Sequence, residues 1–285
     1  KRLEDQRLVT GKGHFIDDKP QDGTLWLHVL RSPHAHANIK SIDVKAALEM
    51  PGVKAVYTGA DLVKDDIGTL PTLAIFKRPD GSPMTVPPRR LLAHEVVRYA
   101  GEGVAAVVAT SRTLAQTAAE AIEIDYEVLP SVVDPVEAVK PGAPVVWPEA
   151  PDNIVAAMSY GDAAKVEAAF ASAAHKVSLD LISQRLVPSA MEPRSTIAEI
   201  EKKTGRLILH VQSQTPGSTR DLLAESILKR PKDSVRVLVG DIGGGFGQKT
   251  SLYPEDGIVA YAATKLNETI RWREIGRARV GKECR

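Results

Sequence analysis

The 285-residue chain carries 37 Lys and Arg against 36 Asp and Glu, a formal net charge of +1, which gives no electrostatic footprint for nucleic acid or an anionic membrane and favours small-molecule partners. Hydrophobic residues make up 43% and charged residues 26%, the balance of an ordinary globular protein, and no apolar run approaches the roughly 20 residues of a membrane span. The length suits two cores, the single cysteine, Cys284, excludes an internal disulfide framework or an all-cysteine cluster, and the residues from Lys1 onward show no secretory signal, so a cytoplasmic setting is expected.

Strand-like apolar patches at residues 23–30 and 53–58 flank a helix-like stretch at 43–50 that Pro51-Gly52 ends, an α+β pattern. Residues 77–90, with Pro79, Gly81, Pro83, Pro87 and Pro88, predict a long loop. The run 103–109 is continuously apolar, Ser111 can cap an Ala-rich helix at 112–121, and 122–128 alternates like a half-buried strand, together a β-α-β unit. Repeated prolines from Pro130 to Pro151 mark a linker over 131–152 between a domain at 1–130 and a second beginning at 153. Beyond it, Tyr160-Gly161-Asp162 introduces a helix at 163–171. Strands are predicted at 175–181, 195–201 and 207–212, the last two joined as a hairpin through Lys203-Thr204-Gly205. A helix at 218–228, with Arg220 and Asp221 as its starting charges, leads to a strand at 235–239 that runs into Gly240-Asp241-Ile242-Gly243-Gly244-Gly245-Phe246-Gly247-Gln248-Lys249-Thr250.

Glycines at this density let backbone N–H groups approach a ligand and form an anion-binding nest. A nucleotide P-loop requires G-x-x-x-x-G-K-[ST]; Gly243 and Lys249-Thr250 are in register, but Gln248 stands where the second glycine belongs. A dinucleotide fingerprint fails at the same Gln248, and no β-α-β unit with a ribose-binding acid surrounds it. A tight turn without ligand is the remaining alternative.

The string Gly243-Gly244-Gly245-Phe246-Gly247-Gln248-Lys249 resembles the molybdopterin-binding loop, G-G-G-F-G-x-K, of the molybdenum hydroxylase large subunits, the xanthine dehydrogenase, aldehyde oxidase and aerobic carbon monoxide dehydrogenase family. Upstream, Gln214 in Gln212-Ser213-Gln214-Thr215-Pro216 and the segment Met191-Glu192-Pro193-Arg194 are similar to that family's motifs in the same order. Glu4-Asp5-x-Arg7-Leu8-x-Thr10-Gly11-x-Gly13, Asp17-Asp18, the segment from Arg31 to Ala37 and Tyr126-Glu127-x-Leu129-Pro130 resemble the a/b hammerhead domain that precedes the molybdopterin-binding region. The resemblance runs nearly to Trp272 and its spelling is most similar to carbon monoxide dehydrogenase-like large subunits.

The resemblance implies an α+β chain, a hammerhead domain followed by the first part of a mixed α+β molybdopterin-binding domain. It implies cofactor contacts at Gln214, Gly244, Gly245, Phe246 and Gly247, with Gln214 reaching an oxygen on molybdenum and Phe246 beside the substrate funnel. It implies a molybdenum–molybdopterin cofactor in the cytosine dinucleotide form, [2Fe–2S] and FAD on partner subunits, and oxidation of an aldehyde, an N-heterocycle or carbon monoxide. The family's general-base glutamate lies far downstream, so this chain alone is expected neither to hold a catalytic residue nor to turn over. Residues 273–285 depart from the family pattern and are expected to be a non-native tail.

Other residues invite function. His34 and His36 could ligate a metal from one strand face, but no Cys or carboxylate completes a set. Glu192 could serve as a general base or as a structural hydrogen-bonding carboxylate, and the family's downstream base favours the latter. Lys249 could neutralise a phosphate or stand in solvent. A P-loop-like nucleotide enzyme and a non-catalytic interaction module are the rival functions.

Overall fold

Apolar runs bounded by turn residues become the strands of a mixed sheet. In chain order come helix α1 (Asp5–Val9), strands β1 (Leu25–Arg31) and β2 (Ala37–Asp43), helix α2 (Lys45–Leu48), strand β3 (Val53–Thr58), helix α3 (Gly59–Lys64), strands β4 (Val96–Val97) and β5 (Gly103–Ala109), helix α4 (Arg112–Glu120), strand β6 (Glu123–Val128) and helices α5 (Pro135–Ala138) and α6 (Ala163–Ser172). Then follow β7 (Ser195–Ile200), β8 (Leu207–Val211), helix α7 (Pro216–Asp221) with a π-helical continuation (Leu222–Ile227), β9 (Val235–Leu238), helix α8 (Pro254–Leu266) and β10 (Ile270–Arg273). The computed structural model describes residues 2–19, 22–72, 75–78, 80–184 and 186–274. Residues 275–285, with Cys284, and Pro79 lie outside the described residues.

Seven strands form one sheet in the order β3-β5-β1-β10-β7-β8-β9, and β4-β2-β6 form a second. In the large sheet β1 with β10 and β8 with β9 run parallel, the other pairs antiparallel. Strands on both sides of the 131–152 stretch therefore share a sheet, and the division in space differs from the division in chain order. One compact unit takes the residues up to 71, 88–131 and those from 188 on; the other takes 72–87 and 132–187.

β5, whose residues are all buried, lies between β3 and β1, which accounts for its unbroken apolar sequence. Ser111 caps α4 by accepting the Leu114 N–H at 3.2 Å, as its position before the helix dictates. The strand–helix–strand run over 103–128 is not a shared-sheet β-α-β unit, however: β5 enters the large sheet, and the half-polar β6 pairs with β2 in the small one. Helix α8 shows no amphipathic period because Glu255 through Ala263 are all buried, the pattern of a helix surrounded by core. Its Ile258, Val259 and Tyr261 join Leu207, Leu209 and Ile270 in the main apolar cluster.

The predicted strand at 175–181 does not form. Its alternation is present, but Val177, Leu179 and Leu181 are 91%, 76% and 83% exposed, and no described strand pairs with it. Periodicity specifies a face to bury, and without a partner for the backbone N–H and C=O groups it does not make a strand. The helix expected from 218 begins instead at Pro216, suited to a first helical position, so Arg220 and Asp221 fall in its last turn, paired with each other at 2.7 Å. Arg273 and Glu274, the first residues of the expected non-native tail, are built into the fold: Arg273 closes β10 and pairs with Asp17 at 2.9 Å, and Glu274 pairs with Arg194 at 3.1 Å. No described helix is long and apolar enough to cross a membrane.

Candidate functional site

Parallel neighbours leave a sheet at the same end, and an antiparallel neighbour enters there. The segments following β8 and β9 and the segment preceding β7 accordingly meet at one end of the large sheet. A buried exchange fixes this end: Gln212 Oε1 accepts the Ser195 N–H at 2.8 Å and its Nε2 donates to Ser195 Oγ at 2.9 Å. Just beyond lie Glu192, Gln214 and the glycine loop.

The loop is tied down by side chains from both neighbours. Glu192 Oε2 accepts the Gly243 N–H at 2.7 Å and the Lys249 ammonium at 3.0 Å, and Lys249 also donates to the Glu192 carbonyl at 3.0 Å. Gln214 Oε1 accepts the Gly247 N–H at 3.1 Å and the Thr250 hydroxyl at 3.4 Å, and the Gln214 N–H donates to the Lys249 carbonyl at 2.8 Å. Side chains would collide at two of the glycines: a Cβ on Gly243 would stand 2.5 Å from Glu192 Cβ, and one on Gly245 would stand 2.6 Å from Gln214 Oε1, so that the Gln214 carboxamide would have to move. Gly244 at φ 105°, Phe246 at φ 50° and Gly247 at φ 86° give the loop its left-handed turns, a curvature that presents successive N–H groups outward.

Lys249 is 2% exposed, so it neither stands in solvent nor reaches a phosphate. Its charge is answered by Glu192, which is thereby a structural partner with its Oε2 already engaged. The lysine register that suggested a P-loop belongs to an inward-facing residue. His34 and His36 do not converge on a metal: the His34 ring meets Tyr126 edge to face at 4.9 Å, and His36 Nδ1 lies 2.8 Å from the Pro130 carbonyl. Among the described residues no group of His, Cys, Asp and Glu forms a metal-ligating cluster.

Two charged residues of the quoted motifs, Asp241 and Arg194, take partners that the sequence did not indicate. Asp241, where β9 passes into the loop, takes a two-pronged ion pair from Arg7, with Nη2 at 2.7 Å, and the His14 N–H at 2.6 Å. The Arg7 hydrogen bond, aided by that from His14, holds the Asp241 carboxyl down at about 2. A carboxylate whose folded value lies below its free value of about 3.9 stabilises the fold above that value, and the contribution vanishes as pH falls toward the folded one. Asp241→Asn should therefore destabilise the protein at pH 7 and make little difference at pH 2. Denaturant titrations at both pH values check this, and an equal loss at both would show that the charge has no part. The second residue, Arg194, is stacked 3.8 Å over the Tyr253 ring and paired with Glu255 and Glu274. Only three-dimensional proximity brings those partners together, so no local motif announces them.

The loop retains unspent donors. Among the described residues nothing accepts from the N–H groups of Gly244, Gly245 and Phe246, or from Gln214 Nε2. Gln214 and Phe246 are exposed, and a Cβ at Gly247 would meet open space. These residues fit a ligand with several acceptor oxygens, as an oxo-bearing metal centre on a phosphorylated carrier would be.

Fold and loop together define a molybdopterin-binding domain joined to an a/b hammerhead. Residues 146–278 match the family model described as molybdopterin cofactor-binding domain, and residues 10–130 match that of the aldehyde oxidase and xanthine dehydrogenase a/b hammerhead domain. The carbon monoxide dehydrogenase large chain of Hydrogenophaga pseudoflava is 35% identical over 95% of this chain and 34% of its own length. The nicotine 6-hydroxylase large subunit of Paenarthrobacter nicotinovorans is 38% identical over 96% of this chain and 32% of its own. The solved quinoline 2-oxidoreductase of Pseudomonas putida 86 superposes with a TM-score of 0.85 at 37% identity, over 96% of this chain and 34% of that one. The chain belongs to the family of molybdenum hydroxylase large subunits, and it spans about a third of the length of the curated relatives it matches.

Proposed function

We infer that this chain supplies part of the cofactor cradle of a molybdenum-dependent hydroxylase or dehydrogenase, and the unspent donors of the glycine loop are the observation that carries the reading. When bound, a molybdenum–molybdopterin group would supply oxidative hydroxylation chemistry. The N–H groups of Gly244, Gly245 and Phe246 would hold its anionic oxygens, each such bond contributing about 1.5–3 kcal/mol. Gln214 Nε2 would donate to an oxygen on the metal while Oε1 stays fixed by Gly247, an electrostatic role set before the reaction begins. Phe246, 74% exposed beside these donors, would border the path of substrate.

The finer features follow from the resemblance of the motifs to the family, not from the relatives' names: a cytosine dinucleotide form of the cofactor, [2Fe–2S] and FAD on partner subunits, a cytoplasmic setting, and a substrate that is an aldehyde, an N-heterocycle or carbon monoxide. A hammerhead domain at 1–130 and a molybdopterin-binding part at 153–272 divide the labour along the chain, and the base and the remaining pterin contacts would come from sequence matching the other two thirds of the relatives. Two or three nest contacts do not offset an association cost of roughly 4–15 kcal/mol with much left over. Metal analysis after expression in a host that makes molybdopterin tests the reading. A protein extended to the relatives' length should carry near-stoichiometric molybdenum and the 285-residue chain almost none; an extended protein devoid of molybdenum would refute it.

A further inference from the structure

The stretch Glu4-Asp5-x-Arg7-Leu8-x-Thr10-Gly11-x-Gly13 has so far only signalled a fold. Helix α1 within it buries no residue, so apolar packing does not account for where it lies. It is held by polar bonds to Asp241: the two prongs of Arg7, one at 2.7 Å, and the His14 N–H at 2.6 Å, with the Asp241 N–H returned to the His14 carbonyl at 3.1 Å. The contact is close enough that a Cβ on Gly240 would stand 2.4 Å from the His14 carbonyl oxygen. The segment also braces itself, since Thr10 Oγ1 donates to the Gln6 carbonyl at 2.7 Å and the Lys12 N–H to the Arg7 carbonyl at 2.9 Å. Beyond it, Ile16 is 2% exposed and anchors the following turn.

We propose that residues 4–14 form a strap over the start of the glycine loop, and that Arg7 is a positioning residue for the cofactor cradle. The role at the cradle rests on the functional reading above. An isolated surface ion pair contributes little. Here a bidentate pair is combined with backbone bonds in both directions at one residue, which fixes orientation as well as distance. Asp241 is separated by Ile242 alone from Gly243, whose N–H is bound by Glu192, so the direction in which the chain leaves Asp241 sets how the following amides are presented. The hammerhead motif and the molybdopterin loop, far apart in sequence, are thus one device.

Residue-resolved amide exchange on the 285-residue protein tests this. The N–H groups of Gly243 and Gly247 are suitable reporters because they are bonded to Glu192 and Gln214 and not to the strap. Arg7→Gln should speed exchange at both about tenfold through easier local opening, and Arg7→Lys, which keeps the charge with a single prong, by less than about threefold. The amides of β7 and β8 should be unaffected. Unchanged exchange at Gly243 and Gly247 in Arg7→Gln would overturn the proposal, as would equal acceleration in β7 and β8, which would mean that the pair supports the fold at large. No cofactor is needed for the measurement, so a protein that never takes up molybdenum would refute the functional reading and leave the strap to be decided by exchange alone.

Discussion

Lys249→Met should destabilise the protein by about 3–5 kcal/mol, the cost of leaving a buried carboxylate without its counter-charge. The lysine side chain is 1% and the Glu192 side chain 10% exposed, so water cannot replace the lost partner. Methionine keeps most of the length of the side chain, and the loss would therefore report charge and hydrogen bonding more than volume. Removing the carboxylate as well, in Glu192→Gln with Lys249→Met, should recover most of the loss, because no buried charge is left and the amide oxygen of the substituted side chain can still accept the Gly243 N–H. Denaturant midpoints of the parent, the single variant and the double variant check this. A single-variant loss below about 1 kcal/mol, the range of an exposed pair, would show that the lysine is solvated after all.

Gly245→Ala should separate folding from cofactor retention. The new Cβ would stand 2.6 Å from Gln214 Oε1 and 2.8 Å from its Cδ, and the carboxamide, on a flexible side chain, would swing aside. Gly247 would lose its acceptor and the oriented Nε2 its direction, while the sheet would be untouched. In the protein extended to the relatives' length, molybdenum content should fall about tenfold, which from near-saturation requires a binding loss of more than about 1.4 kcal/mol, with a stability loss of no more than about 1 kcal/mol. Gly217→Ala is the matched control, since a Cβ there meets open space. Full molybdenum content in Gly245→Ala would place the cofactor elsewhere.

Much of this architecture was readable from residues alone, and the failures have identifiable causes. β3, β5 and the capped α4 follow from local signals: turn residues, unbroken apolar runs and Ser111. The glycine loop was visible because its composition is extreme. Helix α8 gave no signal because a helix buried on every side has no polar face to create a period. The alternation at 175–181 gave a false strand because pairing is a property of neighbours. Lys249 could not be oriented from sequence, since its inward turn depends on Glu192, which precedes β7 and reaches the loop only when β7, β8 and β9 are assembled. The role of Arg7 was hidden for the same reason: Asp241 is more than two hundred positions away and shares no periodicity with it.

The pairing of β1 with β10 sets an order of events in time. Leu25 lies opposite Ile270 and Trp26 opposite Arg271, whereas β5, the other neighbour of β1, is complete at Ala109. During synthesis β1 can dock on β5 early, but its second edge stays open until residue 270 has left the ribosome, on the order of ten seconds later at typical elongation rates. Through that interval the nascent chain carries an unpaired edge beside an apolar face, the kind of surface that invites pairing with other chains. The strand that closes the middle of the sheet is thus the latest of the described strands to be made, and the open edge of β1 needs protection until it appears.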